Sequence, residues 1–193
     1  MALGIVLKNH TGLIVAADHT ATDTPSATSH FITLHNHTVV VISGNRTAVE
    51  KVLFEEALSK ITERHSAAAV AQYVHAALQL KVVPNLAGLS GQVEILIAGI
   101  DPVRHTTAPD AYYLDSRQSF NLVISDRAAT MSGASAVAAE ILGTTDVINQ
   151  SLPVLKQLAI ECFTATRLRW PTVVAPRLKL AVVEPKSMQV YDL

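Results

Sequence analysis

The chain has 193 residues, a length that fits one sizeable domain or two small ones. Its residues are 49% apolar and only 16% charged, whereas soluble domains usually carry about 25% charged residues. This composition excludes intrinsic disorder. The net charge of −1 creates no strong field for nucleic acid or an anionic membrane, so neither is expected as a partner. The scarcity of charge favours an oligomer that buries part of its surface, the alternative being a monomer with a surface of small polar residues.

Cysteine and histidine usage limits the metal chemistry of the chain. The single cysteine, Cys162, excludes a disulfide framework and a thiolate cluster, and its apolar surroundings predict a buried side chain. His35 and His37 flank a predicted turn without a nearby acidic residue, which favours a solvated turn over a metal site. We therefore expect no metal, and without a glycine-rich phosphate loop we expect no nucleotide cofactor.

No targeting or membrane-spanning segment is expected. The first residues lack the basic start of a signal peptide, and their apolar run is interrupted at Lys8. No apolar stretch approaches the length that a membrane-spanning helix needs. The sequence therefore predicts a cytoplasmic protein.

The first 44 residues predict four short strands arranged as two hairpins. The apolar runs that form them are 3–7, 13–17, 30–34 and 39–42. Gly12 lies in the first turn, where we expect a positive φ. The polar stretch between the hairpins, 18–29, is expected to be a loop.

The remaining chain predicts two helices, three strands, two further helices and one or two final strands. The first predicted helix covers 46–64, and Ser66 caps a second helix that continues to Pro84. The third and fourth predicted helices are 134–142 and 153–167. The predicted strands are 93–100, 111–115, 120–124 and 178–183. Ser132 and Gly133 are expected to lead into the third helix.

The order of these elements predicts the fold class. Strand groups that alternate with helix pairs favour an α+β fold in which two antiparallel sheets pack face to face, with a helix layer outside each. A parallel, doubly wound sheet would instead need single helices between single strands. No linker or change in composition divides residues 1–193, so we predict a single domain.

Five segments of the chain share their order and spacing with a known family. They are Gly4–Lys8, Leu13–Thr22, Val41–Asn45, the hairpin 93–115 and Thr130–Gly133. The second segment ends in an apolar-Ala-x-Asp-x-x-x-Thr signature, and the last contains a Ser-Gly pair before a helix. Together the segments resemble proteasome β-type subunits over nearly the whole chain. The resemblance implies the four-layer α-β-β-α sandwich of the N-terminal nucleophile hydrolases.

The resemblance also implies candidate site residues. In that family an N-terminal threonine attacks the peptide carbonyl, and its own α-amine takes the proton. Asp18 matches an aspartate that orients a catalytic lysine, and Ser132 matches an assisting serine. Thr22 and Gly44 match positions whose backbone groups pair with the substrate strand. Without the resemblance, the simpler interpretation is that Asp18 caps a loop and Ser132 precedes a helix. Thr22 and Gly44 would then be ordinary residues at the ends of strands.

Three departures from the family pattern concern catalysis. With Gly4 aligned on the first-strand glycine, the nucleophile position falls before Met1, so no attacking threonine is expected. His30 stands at the place of the lysine, and imidazole is mostly neutral at pH 7. The family's Asp-x-x-Ser motif has no counterpart near 169–172.

The sequence therefore predicts a non-catalytic, proteasome-β-like subunit with a residual cleft for an extended peptide. Its expected partner in the oligomer is another copy of the chain or a related subunit. Two alternatives remain open at this point: an active threonine-type peptidase or amidase, and a small-molecule-binding module that only shares the fold.

Overall fold

The structure is a computed structural model that describes residues 2–19, 30–45, 47–89, 91–103 and 109–193. Within these ranges the chain forms ten β-strands and four α-helices. The strands are β1 (Leu3–Lys8), β2 (Leu13–His19), β3 (His30–Leu34), β4 (Thr38–Gly44), β5 (Val93–Gly99), β6 (Asp110–Asp115), β7 (Val123–Ile124), β8 (Ala129–Gly133), β9 (Arg177–Glu184) and β10 (Ser187–Asp192). The helices are α1 (Thr47–Val52), α2 (Ala67–Lys81), α3 (Ala136–Leu142) and α4 (Leu152–Arg169).

The strands form two five-stranded sheets in which each described pair is antiparallel. The first sheet has the order β10-β9-β2-β1-β8, and the second has the order β3-β4-β5-β6-β7. In the first sheet Gly4 of β1 is paired with Ala17 on one side and Ser132 on the other. The predicted α+β class with two antiparallel sheets is confirmed.

Three apolar cores lie between four layers. Side chains of one face of the first sheet pack with α3 and α4, and those of one face of the second sheet pack with α1 and α2. The remaining face of each sheet contributes to a core between the sheets, which includes Val6, Val15, Val41 and Leu96. Successive side chains of a strand point to opposite faces, so strands buried on both faces require continuous apolar runs. This requirement explains the sequences of β1, β2, β4 and β5.

The predicted helix over 46–64 is wrong in its length and regularity. The α-helical part ends at Val52, a π-helical turn covers Leu53–Ala57, and a 3₁₀ turn ends at Lys60. Ala57 and Leu58, where these two turns meet, are both buried in the second-sheet core.

The predicted strand over 120–124 is also wrong, because only Val123 and Ile124 pair with β6. Phe120 instead has a φ of 54° and is fully buried in the second-sheet core. Ser132 and Gly133, predicted to precede the helix, lie at the end of β8. The sequence of β8 has no apolar run, and its pairing with the distant β1 creates the strand.

The expected positive φ at Gly12 is wrong, since Gly12 is not among the residues in left-handed backbone conformation. The first hairpin turn is closed by Asn9, whose Oδ1 accepts the N–H groups of Thr11 and Gly12 at 2.8 and 2.9 Å. Glycine is required for space, because a Cβ at Gly12 would lie 2.6 Å from the Val183 carbonyl oxygen.

The two long helices match their predicted positions. The Ser66 hydroxyl caps α2 by accepting the Ala69 N–H at 3.3 Å. In α4, Cys162 is fully buried as predicted, and burial raises the pKa of its thiol to about 11. None of the described helices combines the length and hydrophobicity needed to cross a bilayer.

Candidate functional site

One end of the sandwich contains a pocket of about 330 Å³. Antiparallel pairing brings the start of β1 to the same end as the last residues of β4 and β8. Both sheets contribute to the wall, and its residues include Ala2, Gly44, Glu94, Arg117, Gly133 and Ser135. The candidate site therefore lies between the two sheets at this end of the sandwich.

Asp18 lies fully buried near the end of β2. Its Oδ1 accepts the Leu3 N–H at 2.8 Å, and its Oδ2 accepts the Ala175 N–H at 2.8 Å. The carboxylate thus joins β2 to the start of β1, one residue from Ala2 of the pocket wall. This is the geometry of a buried carboxylate that satisfies backbone donors.

Ser132 is buried and lies 3.0 Å from the Ser43 hydroxyl, Oγ to Oγ. Because Ser43 is on β4 and Ser132 is on β8, this hydrogen bond joins the two sheets. Gly4 leaves room for it, since a Cβ there would lie 2.5 Å from Ser132 Oγ. Ser132 was predicted as a site residue from the sequence, whereas Ser43 was not.

Two wall residues require glycine. Gly44 has a φ of 94°, and a Cβ on it would lie 2.0 Å from the Gln92 carbonyl oxygen. Gly133 has a φ of 71°, and its Cβ would lie 1.6 Å from the Ala2 carbonyl oxygen. Residues with a Cβ are strained in this backbone conformation, so only glycine fits at both positions.

Of the two remaining candidates, only His30 is described, and it lies outside the pocket wall. Thr22 falls outside the described residues. The His30 ring on β3 lies against α1 and the turn after it: Nδ1 is 2.5 Å from Glu50 Oε1, and the ring centroid is 5.7 Å from that of Phe54. An imidazole in this position is directed at a carboxylate on a helix rather than at the pocket.

Glu94 is a site residue that the sequence analysis missed. Its side chain is 9% exposed, and its Oε2 accepts the Gly133 N–H at 2.5 Å. Its Oε1 accepts the side-chain amide of Gln92 and, at 3.3 Å, Nη2 of Arg117. A carboxylate near the start of the apolar strand β5 was the available signal, because a buried charge needs partners.

A second buried carboxylate, Asp115, orients Arg117. Its Oδ2 accepts Nε of Arg117 at 2.9 Å, Nη2 at 2.7 Å and the Tyr113 hydroxyl at 3.2 Å. The hydrogen bond to Asp115 raises the pKa of Arg117, which keeps the guanidinium charged. Burial, followed by the charges of Glu94 and Asp115, raises the pKa of Tyr113, so its hydroxyl remains a neutral donor.

A mainly apolar pocket of about 360 Å³ adjoins the first. Trp170 and Val173 line it, and Gly133 and Ser135 belong to both pockets. We refer to the two pockets together as the groove. It presents charged groups at one end and an aromatic and aliphatic surface at the other.

The histidine turn between β3 and β4 is only partly solvated. His35 is exposed, but His37 is 7% exposed, and its Nε2 lies 2.9 Å from the Glu63 carbonyl oxygen. The expected solvated turn is therefore wrong for His37. Across the described ranges, no three His, Cys, Asp or Glu side chains are grouped in a way that could hold a metal ion.

The two antiparallel sheets and their helix layers form a proteasome-like sandwich fold. No protein-family model matches the sequence, and no curated protein matches it either. Solved structures do match. Anbu (ancestral beta-subunit) from Yersinia bercovieri is similar with a TM-score of 0.74 and 12% identity, over 97% of this chain and 86% of that one.

Two structures of Anbu from Hyphomicrobium sp. strain MC1 are also similar, each at 17% identity. A mutant designated Gly-1 has a TM-score of 0.74 and covers 100% of this chain and 86% of its own. The other has a TM-score of 0.70, with 97% and 86% coverage. At such identities the similarity shows the shared fold, which confirms the architecture predicted from the sequence.

Proposed function

We propose that the chain is a non-catalytic, proteasome-β-like subunit of a ring-like cytoplasmic assembly, whose groove beside Gly44 holds an extended peptide. The main support is that the residues at the family's catalytic positions have structural partners. Asp18 accepts two backbone N–H groups, and Ser132 is hydrogen-bonded to Ser43. His30, at the lysine position, faces Glu50.

Within the described ranges, the Ser135 hydroxyl of the pocket wall lacks the arrangement that activates a nucleophile. Activation needs a base within hydrogen-bond distance. The Ser135 side chain has no hydrogen bond to any residue in the described ranges. This favours binding over catalysis.

Assembly is supported by the charge content and by the outer helices. Only 16% of the residues are charged, and Leu168 and Val154 on α4 are 80% and 46% exposed. Leu80 on α2 is 73% exposed. Contacts between such helix faces would bury them, and the Anbu protein from Yersinia bercovieri is itself described as a beta-subunit.

The peptide-binding part can be tested by nuclear magnetic resonance. Titration with an extended peptide should shift and protect the amides of Thr22 and Gly44, while that of Gly88, in the segment between α2 and β5, stays unchanged. Unchanged Thr22 and Gly44 amides at saturating peptide would rule out the cleft.

The assembly and the absence of catalysis need separate measurements. Native mass spectrometry and particle imaging should show a closed oligomer, and peptide substrates should remain intact. Cleavage that Asp18→Ala abolishes would contradict the proposal.

A second candidate is an active threonine-type peptidase or amidase. The observation in its favour is that Asp18, which matches the family's orienting aspartate, lies beside the start of β1. Peptide hydrolysis blocked by an inhibitor that modifies N-terminal threonines would support this candidate.

A further inference from the structure

The polar end of the groove already holds a carboxylate, and it comes from the chain itself. Glu94 is surrounded by three donors: the Gly133 N–H, the Gln92 side-chain amide and Arg117 Nη2. The Glu94 side chain is only 9% exposed, so these donors replace the water that would otherwise solvate its charge. We call these three donors the carboxylate cradle.

Two of the three donors, Gly133 and Arg117, are held in place independently of Glu94. The φ of 71° at Gly133 and its close approach to Ala2 fix the direction of the Gly133 N–H. Asp115 fixes the guanidinium of Arg117 through Nε and Nη2, at 2.9 and 2.7 Å. A preorganised guanidinium next to a backbone amide forms charge-assisted hydrogen bonds with a carboxylate.

The groove has further donors that no described residue uses. Arg117 Nη1 and the Ser135 hydroxyl have no hydrogen-bond partner within the described parts of the chain. The Arg117 side chain is 64% exposed, so its free nitrogen is accessible to a ligand. Next to Ser135 the groove becomes apolar, with Trp170 and Val173. A ligand that joins a carboxylate to an apolar group would contact both parts.

We propose that the carboxylate cradle is a binding site that Glu94 fills in the free protein, and that the carboxylate of an apolar peptide fills it when Glu94 moves out. The two carboxylates exclude each other, because both would occupy the same donors and their negative charges would repel. The peptide as ligand rests on the proposed function, whereas the cradle itself does not.

The first test uses Glu94→Ala and sodium acetate as the probe. Acetate should raise the melting temperature of this variant in a saturable manner and shift the Gly133 amide resonance, while sodium chloride at equal ionic strength should not. The wild-type protein should not respond, because Glu94 fills the site. In Glu94→Ala with Arg117→Gln the acetate affinity should fall about tenfold, the loss expected for one charge-assisted hydrogen bond.

Glu94→Gln is the second variant, in case the alanine variant does not fold. It keeps the shape of the side chain but removes the charge that repels a ligand carboxylate. Acetate should then bind more tightly than to the wild-type protein. Absence of acetate binding to both folded variants, or to Glu94→Gln alone if only that variant folds, would overturn the proposal.

The second test identifies the source of the carboxylate. Peptides that end in an apolar residue are compared as free acids and as C-terminal amides, together with an amidated peptide that carries an internal glutamate. A terminal carboxylate predicts that the free acid binds Glu94→Ala about tenfold more tightly than either amide does. If the free acid and the glutamate peptide bind equally well, the site recognises any peptide carboxylate rather than the terminal one alone.

The outcomes separate this inference from the proposed function. If acetate binds Glu94→Ala but no peptide perturbs Gly44, the cradle is supported and the peptide cleft is wrong. If peptides perturb Gly44 equally in the wild type and Glu94→Ala, and acetate does not bind, the cradle is wrong and the cleft remains.

Discussion

The two ends of the sandwich treat buried polar groups differently. At the end where β1 begins, Ser43 bonds to Ser132 and Glu94 bonds to Gly133, and both contacts join the two sheets. At the opposite end, where the hairpins turn, the buried atoms His37 Nδ1 and Thr38 Oγ1 have no hydrogen-bond partner among the described residues. The comparison indicates that buried side chains at the site end connect the two sheets through hydrogen bonds, whereas these two buried atoms at the opposite end do not.

The largest effect should follow Gly133→Ala at the site end. The substitution forces a left-handed residue with a Cβ 1.6 Å from the Ala2 carbonyl oxygen. We expect a loss of at least about 3 kcal/mol in the free energy of unfolding, measured with urea. Gly88→Ala is the control, because no atom lies within 4 Å of its Cβ position. Equal losses in the two variants would contradict the role of Gly133.

A smaller loss should follow Asp18→Asn. The amide keeps the shape, but only one of its two polar atoms can accept an N–H, so either Leu3 or Ala175 loses its acceptor. The expected cost is about 1–3 kcal/mol in the free energy of unfolding. The exposed Asp146→Asn should stay within about 0.5 kcal/mol of the wild type. A neutral Asp18→Asn would show that these backbone contacts add nothing.

Ser43→Ala tests the hydroxyl bridge between the sheets. It leaves the buried Ser132 hydroxyl without this partner, at a cost of about 1 kcal/mol. The double substitution of Ser43 and Ser132 by alanine should cost less than the sum of the two single substitutions. Strictly additive unfolding energies would mean that the two hydroxyls do not interact.

The smallest effect is expected at the opposite end, from protonation of His37. Burial, and then the charge of His35, lower the pKa of His37, while Asp101 partly opposes this. The unfolded state therefore binds a proton first as the pH falls through about 6.5, and the folded state loses stability below that pH. His37→Gln should reduce the difference in unfolding free energy between pH 7.5 and pH 5. An unchanged difference would show that His37 does not titrate as inferred.

Elements whose burial leaves a local apolar pattern were predictable from the sequence. The strands β1, β2, β4 and β5 and the helices α2 and α4 have uninterrupted or periodic apolar patterns that local reasoning detects. The strand β8 could not be found in this way, because it depends on pairing with β1. The apolar spacing of Leu53–Ala57 likewise does not distinguish a π-helical turn from a continued α-helix.

The candidate site was predictable only where a residue has a recognisable position in a motif. Asp18, Ser132 and Gly44 were found through the family resemblance, and the structure places Asp18 against backbone amides. Glu94 was missed because its main partner, Gly133, is 39 positions away and contributes a backbone N–H, which leaves no mark in the sequence.

The position of Cys162 offers an internal reporter of local unfolding. It is the only cysteine of the chain, it is fully buried in α4, and its thiol pKa of about 11 leaves little reactive thiolate at neutral pH. A thiol reagent can therefore label the native protein only when α4 separates from the first sheet. The labelling rate would measure the free energy of that opening without any engineered probe.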